Sequence, residues 1–349
     1  MKPWILLLCV CMLSCNTPNS FRGKHKFIDK FPVYIHLDAE EEFSVEDMDA
    51  LGMVDLYIAD TVLIALLFKS DVILKGFGLP NLNSLGSLIN KGQGPDEFLW
   101  VGTSQQCLVD SGEIKVWSFD SQLSRFFLLN VTKTVQQHKT VVDKAFDLKK
   151  LGYTSNWIYV NDSLFWGMNI TMDNLELISY NVEKDIISYR EPLFDTPHDI
   201  VKYPQATSDI VIVKPDLSKI VLDMLYLDQL HIISLDNTAD RISFSTTDHA
   251  VNFDHFQGDV TKLPIYYHDI RATNELIFAN YTKKSVNDEL NEDKTIIHVF
   301  DWDGNPKFCL DMPHFTPYFA IDEKGGYLYA LSSEDERLYR YNIKAILNE

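Results

Sequence analysis

From about residue 54 to the C-terminus the chain repeats one unit six times: a short apolar run, an Asp, Gly or Asn turn, then two or three further short runs. Copies begin near Val54, Ser104, Trp157, Asp209, Pro264 and Pro317, a step of about 53 residues. A unit of that size cannot bury its apolar faces alone. It must lay them against like neighbours, and a ring of four-stranded units is the arrangement such a period implies. The expected fold is therefore all-β: a six-bladed β-propeller with four-stranded antiparallel blades. Each blade brings its own core, so 349 residues need no second domain, and 46% apolar residues suffice for the interior.

The N-terminus reads as a leader. Lys2 is followed by a nine-residue apolar stretch, residues 5–13, too short for the ~20 residues that span a bilayer as a helix. It ends in Leu13-Ser14-Cys15, which resembles the bacterial lipobox, where cleavage precedes the Cys and its thiol takes a diacylglycerol. The expected organisation is a lipoprotein signal peptide over 1–14, a polar tether over 15–26 anchored through Cys15, and the propeller over 27–349. With N-acylation added, three acyl chains each contribute ~0.8 kcal/mol per buried CH₂, so the anchor is essentially permanent. Asn16 after the Cys, with no acidic run behind it, points to an outer membrane and its periplasmic leaflet.

A net charge of −19 leaves no basic stripe for phosphates, so nucleic acid is excluded as a partner. The same charge makes the acyl chains the membrane contact. Cys107 and Cys309 fall in the second and fifth repeats, opposite one another in a ring of six. They are therefore expected as two buried free thiols.

Residues 33–37, Val-Tyr-Ile-His-Leu, read as a lone strand ahead of the first repeat. The last repeat shows three runs, 318–322, 327–332 and 338–343. The strand 33–37 is expected as the fourth strand of that last blade, which removes the open edges of the ring. Blade two is the clearest unit, with runs at 106–109, 114–119 and 123–130 and an Asp110-Ser111-Gly112 turn suited to positive φ. Helix is expected only at 45–51 and 145–151.

The sharpest local motif is Gly92-Gln93-Gly94-Pro95-Asp96-Glu97-Phe98, between the first and second repeats. Two glycines and a proline make a tight turn with free backbone N–H groups. The Lys-Ser/Thr of a P-loop is absent, and strands flank the motif, so it is no nucleotide fingerprint. Lys91 to Phe98 resembles the Gly-x-Gly-Pro-x-Glu-Phe signature of the TolB-like six-bladed propeller lipoproteins of Bacteroidetes. That resemblance spans the mature chain and implies fold and location more than chemistry. Gly92, Gly94, Pro95, Glu97, Phe98 and the following Trp100 are the ligand-binding candidates, against a structural role in which Phe98 plugs the space between blades while the Glu97 carboxylate takes backbone N–H groups.

Other constellations are weaker. Asp248, His249, Asp254 and His255 could ligate a divalent ion but read as a solvated loop. Asp301 opens a Ca²⁺-like loop, yet Met312 stands where the bidentate Glu belongs, so a hairpin is expected. Trp100, Trp117, Trp157, Trp166 and Trp302, with Tyr266-Tyr267, read mostly as packing between blades, with stacking on sugar rings or peptide side chains at the channel mouth as the alternative for some. No Gly-x-Ser-x-Gly or His-Glu-x-x-His occurs.

Two functions follow. The first is a non-enzymatic binding or scaffold propeller for a peptide, glycan or partner protein, with no cofactor and no metal site. The alternative is a hydrolase or lyase using channel carboxylates and bound Ca²⁺. The candidates for that alternative are Asp60, Asp110, His268 and Asp322, which must converge if it holds.

Overall fold

The computed structural model describes residues 22–348 except 69, 95, 152–153, 172–174, 195–209, 247–261, 286–293 and 333. The leader, Cys15 and Pro95 therefore lie outside the described residues, as does the cluster Asp248, His249, Asp254 and His255. Three strands precede the repeats: β1 (Lys24–Phe27), β2 (Val33–His36) and β3 (Ala39–Ser44). Blade one comprises β4 (Met53–Ala59), β5 (Val62–Leu67), β6 (Val72–Gly78), β7 (Asn83–Lys91) and the two-residue β8 (Glu97–Phe98). Blade two holds β9 (Val101–Asp110), β10 (Glu113–Asp120), β11 (Arg125–Asn130) and β12 (Val142–Asp147). Blade three holds β13 (Thr154–Asn161), β14 (Leu164–Ile170), β15 (Leu175–Asn181) and β16 (Ile186–Pro192). Blade four holds β17 (Val211–Val213), β18 (Lys219–Met224), β19 (Gln229–Ser234) and β20 (Arg241–Ser245). Blade five holds β21 (Pro264–Ala272), β22 (Leu276–Ser285), β23 (Thr295–Asp301) and β24 (Pro306–Met312). Blade six holds β25 (Tyr318–Asp322), β26 (Tyr327–Ser332) and β27 (Arg337–Asn342).

Each blade is an antiparallel meander whose first strand lies innermost. Six apolar clusters fill the six interfaces between neighbouring blades. The one that joins blade six to blade one sets Tyr329, Leu331 and Leu338 against Leu56, Leu63 and Phe77, so the ring is closed. Middle strands are sandwiched between two neighbours and buried on both faces. That is why β5 reads Val-Leu-Ile-Ala-Leu-Leu, with no polar alternation. The Asp110-Ser111-Gly112 turn behaves as expected, with Ser111 and Gly112 both at positive φ (52° and 81°), the requirement of a tight hairpin whose twist matches its strands.

Closure corrects the expected partner. The fourth strand of blade six is β3, paired antiparallel with β27, not residues 33–37. Those residues form β2, which adds parallel to β24 at the outer edge of blade five. The reason is electrostatic and positional. The seat beside β27 presents two arginines, so a strand with acidic side chains suits it. β3 carries Glu40, Glu41 and Glu42, and β27 answers with Arg340 on Glu41 (2.7 Å), Arg337 on Glu42 (3.2 Å) and Asn342 on Glu40 (3.0 Å).

Three blades depart from four strands. β8, β1 and β2 each add one parallel strand, to blades one, four and five. β1 also takes residues 24–26 from the expected tether into a sheet. Residues 142–147, partly read as helix, are the missing fourth strand of blade two. Residues 45–51 form turns rather than helix. A helix forms instead at Val131–Gln137, where the Asn130 side chain accepts from the Lys133 N–H (2.9 Å) and His138 ends it in the left-handed region.

Candidate functional site

The Gly-rich loop turns Glu97 back onto its own backbone, while Gln93 and Asp96 stay exposed. The Glu97 carboxylate accepts from the Gly94 N–H (2.8 Å), and the Gly92 N–H donates to the Phe98 carbonyl (3.0 Å). A Cβ on Gly92 would overlap that carboxylate, and one on Gly94 would stand 3.0 Å from it. A side chain at either position would therefore displace or crowd the Glu97 carboxylate that the Gly94 N–H holds. Phe98 is 1% exposed, stacks on Phe127 (4.4 Å between centroids) and lies under the Arg125 guanidinium, in the cluster shared by blades one and two. Next along the chain, the Asp120 carboxylate accepts from the Leu99 N–H (2.8 Å) and steers the chain into β9. Trp100 is the motif neighbour that faces outward, 41% exposed and edge-on to Phe68.

The concave surface of the molecule is its axis. At the C-terminal ends of the inner strands a cavity of about 440 Å³ draws on all six blades. Ile58, Leu108, Val160, Val213 and Leu217 give it apolar walls, and Asp60, Glu323 and Lys324 stand at its polar side. Asp60 pairs with Lys324. Burial, with Glu275 adding, raises the Glu323 carboxyl. Cys107 is exposed into this space, which corrects the expectation of two buried thiols; Cys309 alone is buried. Withdrawal from bulk water, with Asp60 adding, pushes the Cys107 thiol up to about 11. The Gln106 side chain spans from blade two to blade three, its amide bonded to the Tyr159 carbonyl (2.9 Å) and N–H (2.8 Å).

A second cavity, of about 320 Å³, draws on the first five blades and is lined by Asp55, Trp100, Trp157 and Arg271 among others. Beside it stands a buried charge network that sequence reasoning missed. Arg271 on β21 pairs with Asp269 and reaches Asp55 on β4 (2.7 Å) and the Leu56 carbonyl (3.0 Å). Blade six stands between those two blades, and its Phe319 N–H donates to the other oxygen of Asp269 (3.0 Å). Asp269 and Arg271 are 1% and 4% exposed. Burial pushes the Asp269 carboxyl well above its usual range, Arg271 and the Phe319 amide oppose this, and Asp55 and Asp223 add to it. A signal existed: an Asp and an Arg two apart in an apolar strand share one face.

The four residues proposed for metal-assisted hydrolysis do not meet. Asp60 is held by Lys324 in the first cavity, and exposed Asp110 receives the Ser111 hydroxyl. His268 pairs with Thr282 inside blade five (3.1 Å), while Asp322 caps its own turn through the Gly325 N–H (2.8 Å). Among the described residues no three His, Cys, Asp or Glu side chains group so as to hold a metal ion. Asp301 folds its hairpin by accepting from the Asp303 and Asn305 N–H groups (3.0 and 2.8 Å), and Trp302 is buried with its indole N–H on the Thr273 carbonyl (3.0 Å).

A closed ring of six blades around an apolar-walled axis defines a six-bladed propeller with a ligand-sized channel. The family model described as TolB-like 6-blade propeller-like matches residues 54–324, and the chain belongs to that family. Among solved structures it is similar to a member of the DUF4221 family from Bacteroides vulgatus, with 12% identity and a TM-score of 0.53 over 88% of this chain and 97% of that one. It is also similar to a Bacteroides fragilis protein described as exported, with 11% identity and a TM-score of 0.51 over 88% and 99%. At such identities the likeness shows the fold. No curated protein matches the chain.

Proposed function

We propose that the protein is an extracytoplasmic lipoprotein, anchored at Cys15 to the periplasmic leaflet of an outer membrane, whose propeller is a non-enzymatic binding module. The observation that carries the binding role is the 440 Å³ cavity built from all six blades. Its size and its mix of apolar wall and few polar groups are those of a ligand site. The occupant it suits best is an apolar side chain of a peptide or partner protein, with an amine turned to Glu323. The Gly-rich loop serves this role indirectly, by fixing blade one to blade two. The export reading draws on the Leu13-Ser14-Cys15 motif and on the similar Bacteroides fragilis protein.

Two measurements test the proposal. Maleimide labelling of Cys107 in the detergent-solubilised protein is expected to slow at least tenfold with saturating tripeptides that carry a free amine and a Leu or Phe. Labelling unchanged by every peptide, while a cavity-filling Val160→Trp variant does slow it, would refute the peptide-binding channel. For the anchor, cells fed radiolabelled palmitate are expected to label the wild type in the membrane pellet. Cys15→Ser should lose the label and appear in the soluble fraction. A wild type that stays soluble and unlabelled would remove the anchor, and its loss on protease treatment of intact cells would move it to the outer surface.

A further inference from the structure

The narrower cavity has a chemistry of its own. Two side chains on its wall are almost wholly buried and carry N–H donors without a partner among the described residues: the Arg271 Nε–H and the Trp157 indole Nε1–H. Arg271 is 4% exposed and Trp157 2%. Both atoms lie beneath the cavity surface, so a ligand's contacts fall on the polar groups that open into it. Thr103, Ser155 and Asn156 add hydroxyl and amide groups to the same wall, and Asn156 is held at a positive φ of 50°. At the rim, Trp100 exposes 41% of its surface and meets Phe68 only edge-on at 5.7 Å. A large flat ring beside a wall of donors fits a ligand with one apolar face and many oxygens.

Charge narrows the class. The Arg271 guanidinium is already neutralised by Asp269 and Asp55, and Asp55 itself lines the cavity. The chain carries a net charge of −19. An anionic ligand would meet repulsion at the site and on approach. We infer that this second mouth of the channel binds a neutral sugar residue, its ring face on Trp100 and its hydroxyls on Thr103, Ser155 and Asn156. The inference rests on the reading of the channel as a binding surface and places a second, chemically different ligand on it.

The test is a titration of the detergent-solubilised protein by calorimetry and tryptophan fluorescence. The probes are neutral malto-, cello-, xylo- and manno-oligosaccharides, with oligogalacturonate as the anionic control. At least one neutral series is expected to saturate and to change the fluorescence. Trp100→Ala should weaken it at least tenfold, Asn156→Ala several-fold, and Trp100→Phe should recover part of the loss. Trp100 lies on the rim, so its variants are expected to melt like the wild type. Flat titrations with every neutral series would mean that the cavity holds water alone and would overturn the inference. So would a preference for oligogalacturonate, or binding indifferent to Trp100 and Asn156. If sugars fail while peptides still protect Cys107, this inference falls and the binding module stands; if both fail, both fall.

Discussion

Replacing Arg271 by methionine is expected to lower folding stability by roughly 3–5 kcal/mol, because it strips the counter-ion from two carboxylates while leaving them in place. Asp269 is 1% exposed and keeps one hydrogen bond, from the Phe319 amide (3.0 Å). Asp55 keeps the Leu56 N–H (2.7 Å). The variant should also deepen a pH dependence of definite sign that the raised Asp269 carboxyl already gives the wild type. With the guanidinium gone, nothing positive opposes the burial that already pushes the Asp269 carboxyl up. A carboxyl with a raised native pKa holds its proton in the folded state after the unfolded chain has released it. Stability is then full below the unfolded value near 4 and is lost as pH rises toward the native one. The Arg271→Met protein is therefore expected to be more stable at pH 5 than at pH 8, and adding Asp269→Asn should restore part of the loss and flatten the profile. Urea denaturation at the two pH values measures both effects. A loss below about 1 kcal/mol would show that the network behaves as a solvent-screened surface pair.

Phe98→Ala is the second large effect, at roughly 3–5 kcal/mol. The side chain is 1% exposed, stacks on Phe127 and fills the seam between blades one and two, so its removal leaves a cavity that rigid sheets cannot close. Phe98→Leu should cost much less. Limited proteolysis gives the second readout: cutting near residues 92–98 should accelerate in the alanine variant as β8 detaches from β7. An alanine variant with wild-type melting and unchanged cutting would show that the motif is no fastener.

The repeat was legible because every blade carries the same sequence of apolar run, turn and apolar run, and blade number follows from period alone. Identity of the closing strand was not legible by hydrophobicity. Val-Tyr-Ile-His-Leu is the better strand by composition, but the seat on β27 selects for charge, and Glu41 and Glu42 fit Arg340 and Arg337 there. The helix at Val131–Gln137 was hidden by its β-branched residues and betrayed only by the Asn130 cap. In the candidate site, the motif was visible, and so was the structural role in which Phe98 fills the seam and the Glu97 carboxylate takes a backbone N–H. Trp100 was singled out for its position after the motif, and it is the member that faces solvent. Arg271 and Asp269 stood two apart in the sequence, whereas their link to Asp55 stayed hidden because it lies 216 residues from Arg271 and is brought near only by ring closure.

The path of the first three strands sets the order in which the molecule can assemble. β1 rests on blade four, β2 on blade five and β3 on blade six, so the beginning of the chain runs as a belt around the last half of the ring. None of those seats exists until the closing third of the polypeptide has been made and delivered. Blades one to three can gather early as a crescent, whereas the belt seats in steps, on β20, then on β24 and last on β27. Completion is thus a late event of high contact order, to be sought in the slowest phase of refolding.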